Sequence, residues 1–147
     1  MKLSTKTRYG FRAMLELAIN YNKSSISIKD IARSQEISVK YLEHLVSLLK
    51  NAGLVKSIRG AKGGYKLAKS PKEIRLSQIF QVLETDMNLV ECIDSPSTCN
   101  RSKFCTTRDI WTLIKQSIIQ VLHSITLEDL VKRQEKKTNK AVPSYII

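Results

Sequence analysis

The chain has 147 residues, 42% of them hydrophobic, a size and content that suit one compact domain and argue against global disorder. Its formal net charge is +12, no apolar run approaches the roughly 18 residues of a bilayer span, and Met1–Lys6 has no apolar stretch behind its charge. No membrane partner and no secretory signal are therefore expected, and the location should be cytoplasmic. Ser4 is placed to cap a helix from about Thr5 to Tyr21, with Phe11, Met14, Leu15, Ala18 and Tyr21 inward at spacings of three and four. Ser27, with Asp30 three residues on, is an N-terminal capping signature for a short helix through Ser34. Gln35-Glu36-Ile37 makes a tight connection. Ser38 then caps a helix to about Asn51 that buries Leu42, Leu45, Val46 and Leu49 and is ended by Gly53.

Two short helices around such a break form the helix-turn-helix pattern. Leu54–Ile58 reads as a strand and Tyr65–Ala68 as its partner. The six residues between them, Arg59-Gly60-Ala61-Lys62-Gly63-Gly64, are basic and glycine-rich, which permits a tight turn and a close backbone approach to phosphate. That is a wing; the alternative is an ordinary surface hairpin. A P-loop is excluded because no Gly-Lys-Ser/Thr triplet opens a helix here. Lys69–Glu73 is a turn or loop, and a helix from Leu76-Ser77 to about Glu84 turns Ile79, Phe80 and Leu83 inward. Residues 88–105 lose periodicity and hold all three cysteines, so they read as a loop. Thr106 or Thr107 caps a long helix from Arg108 to Ser124. Its apolar stripe (Ile110, Trp111, Ile114, Ile118, Val121, Leu122) is more than a small domain covers alone. Thr126 with Asp129 caps a last short helix, residues 133–140 form a charged, frayed tail, and residues 141–147 stay unassigned.

The expected fold is mainly α with a small β-wing: a winged helix-turn-helix module over 1–75, a sensor loop and dimerisation helix over 76–132, and a charged tail over 133–147. The charge follows this division. Residues 1–75 hold 16 Lys/Arg against 5 Asp/Glu, a net +11, whereas residues 76–147 hold 9 against 8, a net +1. A basic module joined to a neutral one suggests a polyanion-binding half, although a merely solvated surface would carry the same charge.

In a helix-turn-helix the N-terminal residues of the second helix meet base edges in the major groove. The buried stripe of that helix leaves Ser38, Lys40, Tyr41, Glu43 and His44 on its outer faces or first turn. Lys40 and Tyr41 suit phosphate or base. Glu43 is repelled by phosphate, so facing DNA it serves only as acceptor from a base donor such as cytosine N4; otherwise it makes a helix-surface ion pair. His44 completes the polar face. In the wing, Arg59 and Lys62, with Gly60 and Gly63 between and beside them, approach the backbone or the adjacent minor groove. Lys2, Lys6, Arg8 and Arg12 add phosphate contacts that position without specifying sequence. The partner expected is double-stranded DNA, bound by a homodimer that buries the long-helix stripe against its copy; a fully intramolecular core is the competing arrangement. In a reducing compartment Cys92, Cys99 and Cys105, odd in number, read as metal ligands or redox sensors rather than as a disulfide framework.

Lys2-Leu3-Ser4-Thr5-Lys6 running into Arg8-Tyr9-Gly10, then Ser38 to Leu42, and Gly53-Leu54-Val55 through Arg59-Gly60-Ala61-Lys62-Gly63-Gly64-Tyr65 resemble the Rrf-two family of winged-helix regulators, and within it the IscR-like members. The resemblance runs from Met1 to Leu130. It implies a homodimer formed through the long helix. It also implies an iron–sulfur cluster, of 2Fe-2S or 4Fe-4S type, on Cys92, Cys99 and Cys105, with Asp109-Ile110-Trp111 continuing the family pattern. IscR-like members place a histidine ligand three residues after the third cysteine; here that position is Arg108. Others use a carboxylate where this chain has Arg8. A guanidinium has no lone pair to offer a metal, so the fourth ligand is missing from both places. A thiol-redox switch or a zinc site on the same cysteines is the alternative. A small iron–sulfur redox protein would leave the basic hairpin unexplained, and an RNA-binding winged helix remains a further alternative. No enzyme is expected: there is no Ser/His/Asp set and no paired carboxylates, and His44 and His123 fall in separate helices.

Overall fold

Three serines start the first three helices. Ser4, Ser27 and Ser38 each sit in extended backbone and accept the N–H of the residue three positions on, from Thr7, Asp30 and Tyr41. The computed structural model describes residues 2–141. In it α1 (Thr5–Ile19), α2 (Ile28–Gln35) and α3 (Val39–Asn51) are followed by strands β1 (Val55–Ile58) and β2 (Gly64–Leu67), then α4 (Leu76–Leu83), α5 (Thr106–Ser124) and α6 (Leu127–Ala141). This is the mainly α fold with a small wing that the pattern predicts. The turn between α2 and α3 is closed by Glu36, whose left-handed backbone (φ 54°) ends α2. Gly53, at φ 76°, ends the region of α3 as expected of glycine beyond a helix.

The strands pair antiparallel, with Val55 opposite Leu67 and Ile58 opposite Gly64. A third short bridge holds this hairpin to the body: Ile26 N–H donates to Tyr65 O at 3.1 Å and Tyr65 N–H to Ile26 O at 2.8 Å. Gly64 is what lets the chains approach. A Cβ there would lie 2.2 Å from the Ile26 carbonyl oxygen.

The core joins Met14 and Leu17 of α1, Ile31 of α2, Leu42, Leu45 and Leu49 of α3, Leu67 of β2, Ile79 and Leu83 of α4, and Leu127 at the start of α6. Each such side chain contributes about 1.5–3 kcal/mol by leaving water. The face of α1 differs from the expectation. Thr7, Gly10, Ala13, Met14, Leu17 and Ala18 are buried, while Phe11, Leu15 and Tyr21 are only half-buried at its flanks. Met14 and Ala18 are inward as expected, and Gly10 joins them because α4 packs close: a Cβ on Gly10 would lie 2.1 Å from Leu83 Cδ1.

Two further expectations need correction. The residue capping α5 is Cys105, not Thr106 or Thr107, which form its first turn. And α6 is neither short nor frayed at 133–140; it continues to Ala141. Its start is capped as expected, with Thr126 N–H on Asp129 Oδ2 at 2.9 Å and Asp129 N–H on Thr126 Oγ1 at 3.2 Å. Of the unassigned end, residues 142–147 lie outside the described residues. The loop over 88–105 is built of three single 3-10 turns, Glu91–Ile93, Pro96–Thr98 and Ser102–Phe104, and a fourth, Pro71–Glu73, leads into α4. No residue of α5 is buried. Ile110, Trp111, Leu113, Ile119 and Val121 are exposed, Leu113 and Val121 each at 57%, so the apolar surface is broader than the stripe read from the sequence. Among the described residues no helix is long and apolar enough to cross a membrane.

Candidate nucleic-acid interface and cysteine segment

Burial of Leu42, Leu45, Val46 and Leu49 fixes the roll of α3 and leaves Ser38, Lys40, Glu43 and His44 exposed, with Tyr41 half-buried. Tyr41 is held from behind: the Tyr9 ring meets it edge-on, centroids 6.0 Å apart at 82°. Arg12 lies over the other partner of this pair, its guanidinium carbon 5.4 Å from the Tyr9 centroid. Its Nε donates to Gln35 Oε1 at 3.1 Å and its Nη2 donates to the Gln35 carbonyl. An arginine expected on phosphate therefore also braces α1 against the end of α2. Glu43 has no salt-bridge partner among the described residues, so the helix-surface ion pair suggested for it does not form in this structure.

In the wing, Arg59, Gly60 and Lys62 are exposed and Gly63 is half-buried. The glycines differ in what requires them. Gly60 has φ 115° with open space around its Cα, a backbone that side-chain-bearing residues rarely adopt. At Gly63 a Cβ would come within 2.4 Å of Ile58 O and 2.8 Å of Gly60 O, so its bare Cα is turned to the wing's own backbone. Ser25 Oγ donates to Lys62 O at 2.7 Å and ties the wing tip to the α1–α2 connection.

The cysteine segment lies along α5. Arg108 Nε donates to the Cys92 carbonyl at 3.0 Å and its Nη2 to the Ile93 carbonyl at 3.3 Å. Lys115 Nζ meets Asp94 Oδ1 at 2.6 Å. Ser102 Oγ donates to the carbonyls of Pro96 and of Cys99, the latter at 2.6 Å. Cys92 and Cys105 are half-buried and Cys99 is exposed, all three as free thiols. The Cys105 thiol is 3.2 Å from Thr107 Oγ1. That hydroxyl, then the Arg108 and Thr107 backbone N–H groups of the first turn of α5, lower the thiol's pKa below its ordinary value against a small opposing effect of desolvation. Among the described residues no three of Cys, His, Asp and Glu come together to hold a metal. In this arrangement the residues do not fit an iron–sulfur cluster, and Arg108 is spent on carbonyls.

Sequence reasoning missed Glu84. Its Oε2 accepts from Thr7 Oγ1 at 2.6 Å, Ser4 Oγ at 2.9 Å and Ser4 N–H at 3.2 Å, fastening the end of α4 to the start of α1. Desolvation pushes its pKa up, but these donors and the Lys6 charge together bring it below the ordinary value. No local signal announces a contact between residues so far apart in the chain.

A family profile described as "Rrf2: Iron-dependent Transcriptional regulator" matches residues 3–133. The chain belongs to the Rrf2 family of transcription regulators. It is 45% identical over 130 residues to the HTH-type transcriptional regulator CymR of Bacillus subtilis, covering 88% of this chain and 89% of that protein. Among solved structures, T. potens IscR superposes with a TM-score of 0.78 at 41% identity, covering 93% of this chain and 90% of that one. The structure described as CymR, "the Global Cysteine Regulator of B. subtilis", gives a TM-score of 0.76 at 44% identity over 90% of this chain and 98% of that one. Family membership accounts for the winged helix.

Proposed function

We propose that the chain is a cytoplasmic, homodimeric, sequence-specific regulator that reads double-stranded DNA with α3 and the wing, and that the Cys92–Cys105 segment is its sensing element. The observation carrying the DNA reading is the joint exposure of Ser38, Lys40, Glu43 and His44 on α3 and of Arg59 and Lys62 on the adjoining wing, in the half that holds a net +11. Residues 1–75 form the DNA-binding module, 76–132 the sensing and dimerisation region, and 133–147 a basic extension. Lys40, Tyr41 and the wing cations meet the sugar–phosphate backbone and base edges, Gly60 and Gly63 shape the wing that carries them, and Glu43 accepts from a base donor. The unburied apolar surface of α5 supports the dimer, since a contiguous apolar face of this kind marks an association site. In such a dimer two reading helices address a pseudo-palindrome.

The sensing chemistry has two readings. Three soft sulfur donors in one short segment, with the IscR-like resemblance and the iron-dependent family, support a cluster on Cys92, Cys99 and Cys105; that reading requires the segment to rearrange from the conformation described. The Cys105 geometry favours a thiol switch, because a thiolate-prone sulfur beside a hydroxyl and helix N–H groups is primed for oxidation without metal. Anaerobic purification read by visible absorption and iron content separates them, since zinc and disulfides are colourless. For DNA, duplex titrations should show log K falling by about 0.9 per phosphate neutralised. Arg59→Ala should weaken binding and flatten that slope. Salt-independent binding, or an Arg59→Ala protein with unaltered affinity, would end the wing assignment.

A further inference from the structure

The DNA face does not use the last helix. Lys132, Arg133, Lys136, Lys137 and Lys140 recur along α6, and every residue from 132 to 141 is exposed. At 3.6 residues per turn the five cations fall within an arc of roughly 140°, facing away from Leu127 and Val131, which meet the body, with Leu130 at its edge. The strip is about 12 Å long at 1.5 Å per residue, comparable to about three to four base-pair steps of duplex, each strand presenting one charge per about 3.4 Å of helix axis.

Local helix chemistry does not account for it. Lys132/Lys136, Arg133/Lys137 and Lys136/Lys140 are like-charged pairs one turn apart, each unfavourable by about 0.2–0.5 kcal/mol. Of the five cations only Lys140 stands in the last turn, where the helix dipole welcomes positive charge. Among the described residues the strip makes one ion pair, Lys132 to Glu128 at 3.4 Å. Asp129 shares the arc and lies in the field of Lys132 and Arg133, though its carboxylate accepts from the Thr126 N–H and hydroxyl. The family model matches residues 3–133, so Lys136, Lys137 and Lys140 lie past the end of that match. The helix packs on α1 and on the Pro71–Glu73 turn, both in the basic half, and the turn itself carries Lys72.

We propose that the basic face of α6 is a second, sequence-independent DNA contact, taking the phosphates of duplex that flanks the segment read by α3 and the wing. This rests on the DNA-binding reading above and adds a surface that reading does not use. A duplex several helical turns long would be titrated by fluorescence anisotropy over roughly 50–200 mM salt. The protein would be the full chain and its Lys132→Gln/Arg133→Gln/Lys136→Gln/Lys137→Gln variant. Glutamine keeps helix propensity, so far-UV circular dichroism should be unchanged. The log K against log[salt] slope should flatten by about 2–3, with affinity lost ten- to a hundredfold near 0.1 M salt. A wild-type slope in the variant overturns the inference while leaving the wing assignment standing, which Arg59→Ala tests separately. A wild type that binds no duplex overturns both. A change seen with single-stranded RNA but not with duplex overturns the inference in favour of an RNA contact. Should the fourfold variant lose helix, Lys136→Gln/Lys137→Gln is read instead, with about half the change expected.

Discussion

Placing a methyl group on Gly64 tests how the wing is held. The new Cβ would lie 2.2 Å from Ile26 O, 2.5 Å from its carbonyl carbon and 2.9 Å from Ser27 N. All three are backbone atoms, which cannot rotate aside, so β2 must withdraw from Ile26. The two hydrogen bonds of the Ile26–Tyr65 bridge then open, at a net cost of about 0.5–1.5 kcal/mol each. Alanine returns about 0.4–1 kcal/mol by restricting the unfolded chain. Gly64→Ala should therefore destabilise by about 1–2 kcal/mol, read as a lower urea midpoint with unchanged slope. Amide exchange should quicken at Tyr65 and Ile26. DNA affinity should fall as well, because the freed wing must be ordered again on binding. Gly60→Ala makes a useful comparison: nothing lies within 4 Å of its Cβ, so any cost comes from φ 115° alone and the Tyr65 amide should stay protected. Wild-type stability with a protected Tyr65 amide in Gly64→Ala would refute the reasoning.

Leu113→Glu puts a charge on the exposed surface of α5. If that surface is the dimer interface, the buried unpaired carboxylate should cost about 3 kcal/mol, weakening association over a hundredfold in sedimentation without loss of helix; a dimer of wild-type affinity would move the interface elsewhere. The lowered Cys105 pKa gives more thiolate at neutral pH, so Cys105 should alkylate faster than Cys99 there, and Thr107→Val should shift its rate–pH profile upward; equal rates at the two thiols would remove the basis of the thiol reading. Glu84→Gln should destabilise by about 1 kcal/mol at neutral pH, since a carboxylate accepting from Thr7 and Ser4 is replaced by a neutral amide. Because folding lowers the Glu84 pKa, its contribution is full above the ordinary value of 4.5 and disappears as pH falls through the lower folded value. The stability gap between wild type and Glu84→Gln should close over that acid range; a gap that persists below it would mean the carboxylate's charge is irrelevant.

What was legible in the sequence was local. Serine caps followed by apolar periodicity are written within a single turn, so α1 to α3 and the break between α2 and α3 were readable to within a residue or two. Tyr21, which the inner stripe of α1 included, falls beyond the end of the helix at Ile19 because Asn20 closes it. On the inner face of α1, Met14 and Ala18 are buried as the periodicity predicts, but Gly10 is not foreseeable, because its bare Cα is demanded by Leu83 of α4, a constraint that exists only once the helices pack. Cysteine is not a capping type, so the start of α5 at Cys105 carried no signal. The second half of α6 lost its apolar repeat after Val131 and looked frayed, yet Gln134, Glu135, Lys136 and Lys137 are good helix formers and continue it. At the candidate site the outward residues of α3 and the wing could be listed in advance. The grips of Arg12 on Gln35 and of Arg108 on Cys92 and Ile93 could not, because each joins elements whose proximity the fold alone creates.

The far end of α5 is stitched to the body. Leu76 N–H donates to Ile125 O and Leu127 N–H to Ile74 O, each at 2.9 Å, and Arg75 Nη1 reaches the His123 carbonyl at 2.9 Å. Among the described residues its near end, at Cys105, has no such stitching; there Arg108 grips the Cys92 carbonyl, and Lys115 at mid-helix pairs with Asp94. The helix is thus a rod held at its far end, where it also packs on α4, with Cys105 at the other end. Its 19 residues make a lever about 27 Å long. A tilt of about 5° at the fulcrum swings the thiol end of such a rod by about 2.4 Å, a displacement comparable to the length of one hydrogen bond. Conversely, chemistry that pulls the cysteine segment by that distance needs only a few degrees of rotation at the staple, where the strain is small. The exposed apolar face of α5 turns with it.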